Sequence, residues 1–425
     1  MKYLEKPRNI AIIAVVIAVV LIVAYFAYPL IAPIPTSEET IKIGWVSELS
    51  GFWAQNALPM VPAAKLGVQY VNEHGGVVVQ GVRYNFELVI RDDRTDVPTA
   101  VSYASELMEE VGCVVLTGTS SSDMGLALRS YAESKKIPYL TTMVSSPALN
   151  QPPTDWAYRI QPDGVQVGAT HAMYMLDQNP DAKVAIMYAD HSFFGALAFG
   201  CRYYFEEYAS EDQIVYFQGF PISQADFTAA CAYVKALNPD FILAAFDRQE
   251  LVQSLLQAGF TVDQICNFFL IDLSPKRAIA YTAENILGAQ GFPCTSHWIA
   301  EAENDPIYDW FWPLYKEEYG DIPNVGALYA LDCIFLIKSA IERADSLEHD
   351  KVNEALQNTE YQSFSYPNMI LKFDENGGLV LPKYPYARVV EVFNSTCSRS
   401  EIIGFYELPE IPYYELAVAY PVYPY

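Results

Sequence analysis

Gly112-Cys113-Val114-Val115-Leu116-Thr117-Gly118-Thr119-Ser120-Ser121-Ser122 reads as a buried strand that runs into a small, hydroxyl-rich turn. An amphipathic helix follows, then a second strand ending in a similar turn, Thr141-Thr142-Met143-Val144-Ser145-Ser146-Pro147. Polar turns at the carboxyl ends of successive parallel strands gather backbone N–H and hydroxyl donors into a cradle. Such a cradle suits a small anion, typically a carboxylate.

The pattern extends in both directions. From residue 41 strands and helices alternate with short links, the signature of a doubly wound α/β fold. The first strand is 41–46; a helix starts near Pro59–Pro62 and stops at Gly75-Gly76, where glycine ends helices. Residues 85–90 alternate with period two, 97–111 are helical, and strands at 113–117 and 138–142 complete the first series. A second series follows Trp156–Asp163, with strands expected at 184–189, 214–217, 241–246 and 268–271 and helices near 195–209, 226–237 and 249–258. Two series separated by one polar break imply two lobes with a cleft between them, the natural place for a ligand.

The chain has 425 residues, enough for two cores, and carries 51 acidic against 26 basic residues, a formal net charge of −25. That balance repels phosphates and argues against nucleic-acid binding. Seven cysteines (113, 201, 231, 266, 294, 333 and 397) contain no Cys-x-x-Cys, so no metal site and no cofactor are expected. Cys266–Cys294 is the favoured disulfide, and Cys113 reads as a buried thiol within its strand.

Residues 10–32 carry no charge and follow Lys2, Lys6 and Arg8. The run matches the roughly 20 residues of a membrane-spanning helix with its basic flank in the cytoplasm. A cleaved signal peptide is the competing reading, although its apolar core is usually about 7–15 residues. The layout expected is a stub at 1–9, the anchor or signal segment at 10–32 and a Pro- and Glu-containing linker at 33–40. The first lobe spans 41–158, the second 159–294, and a Tyr- and Pro-rich extension closes the chain at 401–425.

Ser50-Gly51, Val71-Asn72-Glu73-His74-Gly75-Gly76, Arg91-Asp92-Asp93, Gly118 through Ser121-Ser122, and Ile137-Pro138 with Ser145-Ser146-Pro147 occur in order along the chain. They continue with Arg159-Ile160-Gln161-Pro162-Asp163 and Phe373-Asp374-Glu375-Asn376-Gly377. In this order and spacing, over roughly residues 41–395, the chain resembles the solute-binding proteins of branched-chain amino acid ABC transporters. The resemblance implies a type I periplasmic-binding-protein fold, with two lobes joined by three crossovers. Residues 295–365 would return to the first lobe and 366–400 to the second.

Ser121 and Ser122 sit where a strand gives way to a helix N-terminus, whose free N–H groups and partial positive charge attract anions. Helix capping alone also explains a serine there. The resemblance implies that this turn, with Val144 and Ser145 from the second, holds a ligand carboxylate. It also implies an acidic residue on the second lobe for the ligand's ammonium: Asp272, which reads equally well as a helix N-cap or an exposed loop acid, with Asp247 in reserve. Phe52, Trp53 and Phe194 are candidates for apolar walls or for core packing. The family's frequent Tyr is Phe at 194, which leaves amides and other small carboxylates open as ligands.

Enzyme chemistry finds little footing. The chain lacks a phosphate-binding Gly-x-x-x-x-Gly-Lys loop, a Gly-x-Gly-x-x-Gly turn and a His-Glu-x-x-His pair. Asp190-His191-Ser192 holds triad residue types, but a triad is a spatial relay that adjacent residues seldom form. His171 and His297 have no evident partners in the sequence, and Asn394-Ser395-Thr396 is a glycosylation acceptor usable only after export. The reading is an extracytoplasmic, membrane-tethered binder that closes on an amino acid or related carboxylate or amide and delivers it to ABC permease and ATPase subunits. A sensory receptor ectodomain on the same fold is the alternative, and an extracellular α/β hydrolase a remoter one.

Overall fold

The computed structural model describes residues 34–51, 53–151, 154–246, 249–267, 287–289, 307–320, 323, 325–366, 369–380, 384–394 and 397–407. Among the described residues, thirteen strands build two large sheets. In the first, β1 (Thr36–Ser47) is flanked by β3 (Val82–Asp92) and β4 (Val115–Gly118), followed outward by β5 (Tyr139–Thr141) and β6 (Ala157–Arg159). These pairings are parallel, and β2 (Val77–Val79) adds an antiparallel edge. Side chains of β1 alternate between two cores, as the pleat requires. Ile41, Ile43 and Trp45 pack in one with α1 (Met60–Glu73); Val46 packs in the other with α2 (Val97–Ser105) and α3 (Ser122–Lys135). Beyond Ser105 the helix expected to reach 111 continues as a π-helical turn, Glu106–Glu110.

The second sheet runs β8 (Ile214–Phe220), β7 (Val184–Ala189), β9 (Phe241–Ala245), β10 (Ile265–Asn267) and β11 (Leu287–Ala289), all parallel. A long antiparallel hairpin, β15 (Tyr384–Asn394) and β16 (Cys397–Tyr406), completes it. All six residues of β7 are buried, the mark of a central parallel strand covered on both faces. The covering helices include α4 (Gly164–Gln178), α5 (Ser192–Tyr208), α6 (Thr228–Leu237) and α7 (Gln249–Gln257). The strand expected at 268–271 begins earlier, at Ile265–Asn267; residues 268–271 lie outside the described set.

After β11 the chain supplies the first core again. Phe311 and Tyr315 of α8 (Ile307–Tyr319), eleven buried residues of α9 (Val325–Ala344) and Leu356 of α10 (His349–Gln357) pack there. A small sheet of β12 (Tyr361–Gln362), β13 (Ile370–Phe373) and β14 (Leu379–Val380) joins the same core through Leu371, Phe373 and Leu379.

The passage from β6 to α4 is locked by polar contacts. Arg159 and Asp163 form a buried ion pair at 2.8 Å, and Arg159 also donates to the carbonyls of Ser146 and Gln161. Asp163 caps α4 in a reciprocal box with Gln166. The Asp374–Gly378 turn closes against the same passage, with the Arg159 N–H donating to the Gly377 carbonyl.

Cys113, Cys201, Cys231 and Cys333 are buried free thiols. Cys113 precedes β4 rather than lying within it. Cys266 is buried in β10, and its expected partner Cys294 lies outside the described residues, as do residues 1–33, Phe52, Asp247, Asp272 and His297. Among the described residues no helix is long and apolar enough to cross a membrane, and no group of three or more His, Cys, Asp or Glu side chains is placed to hold a metal ion. The membrane helix expected at 10–32 falls wholly outside the described residues.

Candidate functional site

The two polar turns meet at the carboxyl edge of the first sheet. Gly118, with φ at +105°, ends β4 against the Val46 carbonyl, an approach that a Cβ would prevent. Gly125 on α3 lets Val144 press directly against the helix, which draws the second turn beside the first. The Val144 side chain therefore belongs to the core, which leaves its backbone as the part that could serve the second turn, while its neighbours Met143 and Ser145 line the pocket.

A pocket opens between the lobes, with about 470 Å³ of space that includes its solvent-filled mouth. The first lobe supplies Trp53, Asn56, Ser120, Ser121, Ser122, Met143 and Ser145; the crossover supplies Gln161; and the second lobe supplies His191, Phe193 and Phe194. Of the residues singled out from sequence, Ser121, Ser122, Ser145, Trp53 and Phe194 come together here. Phe52, Asp247 and Asp272 lie outside the described residues.

Sequence reasoning missed Glu48. This fully buried residue follows β1, and its carboxylate lies across the start of α3. Oε1 accepts from Thr119 Oγ1 at 2.6 Å and from the Ser121 N–H at 3.0 Å. Oε2 accepts from the Ser120 N–H at 2.9 Å and from Ser120 Oγ at 3.0 Å. The amides expected to greet a ligand's carboxylate thus already hold one from the protein itself. Behind it lies Asp93, also fully buried, whose carboxyl is pushed up to about 7 by burial, with Glu48 adding repulsion against the Thr95 N–H bond.

Hydroxyls and one imidazole remain for a ligand. Ser121 Oγ is buried without a protein partner, and it does not cap its own helix. Ser145 Oγ accepts from Gln161 Nε2, which leaves its proton to donate. His191 caps α5 through Nδ1, which accepts the Phe193 N–H at 3.3 Å. That bond places the neutral ring's proton on Nε2, which is buried and has no protein acceptor. Burial holds the His191 pKa below its ordinary value, with Asp123 opposing.

The same geometry removes the triad reading. A catalytic histidine donates from Nδ1 to its orienting carboxylate and accepts a hydroxyl proton at Nε2; His191 has the opposite arrangement. His171 is fully buried, and burial lowers its pKa to about 3, so it is a neutral core residue. The signal for His191 was its place immediately after strand 184–189, at the carboxyl end where α/β sheets bind ligands.

Two α/β lobes around a pocket built on strand-end turns are the architecture of a protein that binds small solutes between its lobes. The chain belongs to the periplasmic binding protein family, whose model matches residues 40–391. Members are ligand-binding proteins rather than enzymes. A leucine-, isoleucine-, valine-, threonine- and alanine-binding protein of Pseudomonas aeruginosa is 24% identical over 346 residues, 80% of this chain and 87% of that one. In fold, the chain is similar to a branched-chain amino acid transporter substrate-binding protein from Streptococcus pneumoniae, solved with isoleucine. The TM-score is 0.68 at 20% identity, covering 86% of this chain and 99% of that one. It is equally similar to an ABC-transporter solute-binding protein from Rhodopseudomonas palustris, solved with 3,4-dihydroxybenzoic acid. That TM-score is 0.70 at 19% identity, covering 89% of this chain and all of the other.

Proposed function

We propose that this chain captures a small molecule with an apolar body and a polar head, an amino acid or a related carboxylate or amide, and delivers it to ABC permease and ATPase subunits. The supporting observation is the interlobe cavity itself: hydroxyls of Ser121 and Ser145 on one wall face His191, Phe193 and Phe194 on the other. Lobe closure would exclude water and strengthen each polar contact. For an amino acid ligand, Asp272, with Asp247 in reserve, would supply the ammonium's counter-charge.

Relatives named for leucine, isoleucine and valine, and a structural neighbour solved with an aromatic acid, fit this range of ligands. The family implies work outside the cytoplasm, and residues 10–32 would tether the receptor to the membrane. A thermal-shift screen of amino acids, small acids and amides tests the reading. A hit should stabilise the protein by about 2.7 kcal/mol at 100 times Kd. Stabilisation by sugars alone, or by none of these solutes, refutes it.

A further inference from the structure

Glu48 changes what this pocket accepts. Its two oxygens take four donors within 3.0 Å: the N–H groups of Ser120 and Ser121 and the hydroxyls of Thr119 and Ser120. Those amides lie at the positive end of α3, where the helix carries roughly half a unit charge. A carboxylate group of the protein already occupies that end. A second anion placed at the neighbouring, buried Ser121 hydroxyl would meet occupied amides and another acidic group. No lysine or arginine lines the pocket among the described residues to offset it.

The groups left over suit a neutral head. Ser121 Oγ, Ser145 Oγ and His191 Nε2 can each donate, which satisfies a carbonyl oxygen. Ser121 Oγ can also accept, which satisfies an amide N–H. Around them Trp53, Met143, Phe193 and Phe194 offer apolar surface. We infer that Glu48 sets the charge selectivity of the site, and that the ligand is an uncharged carboxamide with an aromatic or branched apolar body. The inference rests on the solute-binding reading and narrows its range of ligands.

The test is calorimetry on the full chain at pH 7.5 with matched pairs, benzamide against benzoate and isovaleramide against isovalerate, with leucine as a third probe. The wild type should bind each amide at least about tenfold more tightly than its acid. Glu48→Ala frees the two amides and should bring the acids to parity or better. Glu48→Gln removes the charge while keeping the shape, and should narrow the gap even if the alanine variant does not fold. Acids or leucine binding the wild type as well as the amides do would overturn the inference while leaving the solute-binding reading intact. An amide preference undiminished in both variants would remove Glu48 from the assignment. If none of the probes binds any variant, both the inference and the solute-binding reading of this pocket fail.

Discussion

The Trp53 indole and the His191 imidazole face each other across the cleft, with ring centroids 5.5 Å apart and planes inclined by 54°. One belongs to the loop after β1 and the other to the turn after β7, so this pair bridges the lobes at the pocket rim. His191 also lies 5.6 Å from Phe194, which continues the aromatic wall into the second lobe.

If these rings meet in solution, they couple the lobes. A double-mutant cycle with Trp53→Ala and His191→Ala, read by urea unfolding of the ligand-free protein, should give a coupling of about 0.5–1.5 kcal/mol, as ring pairs do. Zero coupling would mean that the lobes stand apart without ligand.

The hydroxyl wall has its own test. Ser121→Ala with Ser145→Ala should weaken binding of the best screened ligand by about 1–3 kcal/mol. Ser121→Ala alone should leave melting near wild type, because Ser121 makes no cap bond whose loss would loosen α3, whereas Ser145→Ala strips Gln161 Nε2 of its acceptor and should lower melting modestly. Unchanged affinity would leave both serines as structural residues.

The lobes were legible because buried parallel strands read as apolar runs and their carboxyl ends as clusters of small polar residues. Strand 184–189 shows why: every position is buried, so no alternation obscures its limits. Near 265–271 the apolar run continues past Asn267, and nothing local marks where pairing starts; the register with β9 does. Glu48 was illegible for a different reason. Its partners lie 71 to 73 positions away, and only the parallel pairing of β1 with β4 brings them together. His191 is hard to read for a third reason: its sequence neighbours resemble a relay, whereas its place in the pocket comes from following the end of a strand.

The crossover motif should be sensitive to a single change. Arg159→Met would leave Asp163 buried without its charge partner and cut the bonds to Ser146 and Gln161. A loss of about 3–5 kcal/mol is expected in urea unfolding. A loss under about 1 kcal/mol would show that the pair is not an essential lock.

Residues 10–32 can be tested directly. If they anchor the chain, the expressed protein should keep its N-terminus and stay with membranes through carbonate extraction. A soluble product beginning near residues 33–38 would establish cleavage instead.

Asp93 should make stability depend on pH in an unusual direction. Its carboxyl rises from an ordinary 3.8 to about 7 in the fold, through burial first and then repulsion from Glu48, with Asp92 and Asp96 adding to it. Between those values the folded chain holds a proton that the unfolded chain has lost. The slope of unfolding free energy with pH is therefore negative for this group: its contribution is full below about 4 and is lost as pH rises through about 7, by up to about 1.4 kcal/mol per pH unit. Asp93→Asn copies the protonated acid and can keep the Thr95 N–H bond. The variant should match the wild type at about pH 4 and below, and exceed it in urea midpoint by a margin that grows from about pH 5 to about pH 8. Parallel pH profiles for the two proteins would show that Asp93 ionises in the fold as it does in the unfolded chain.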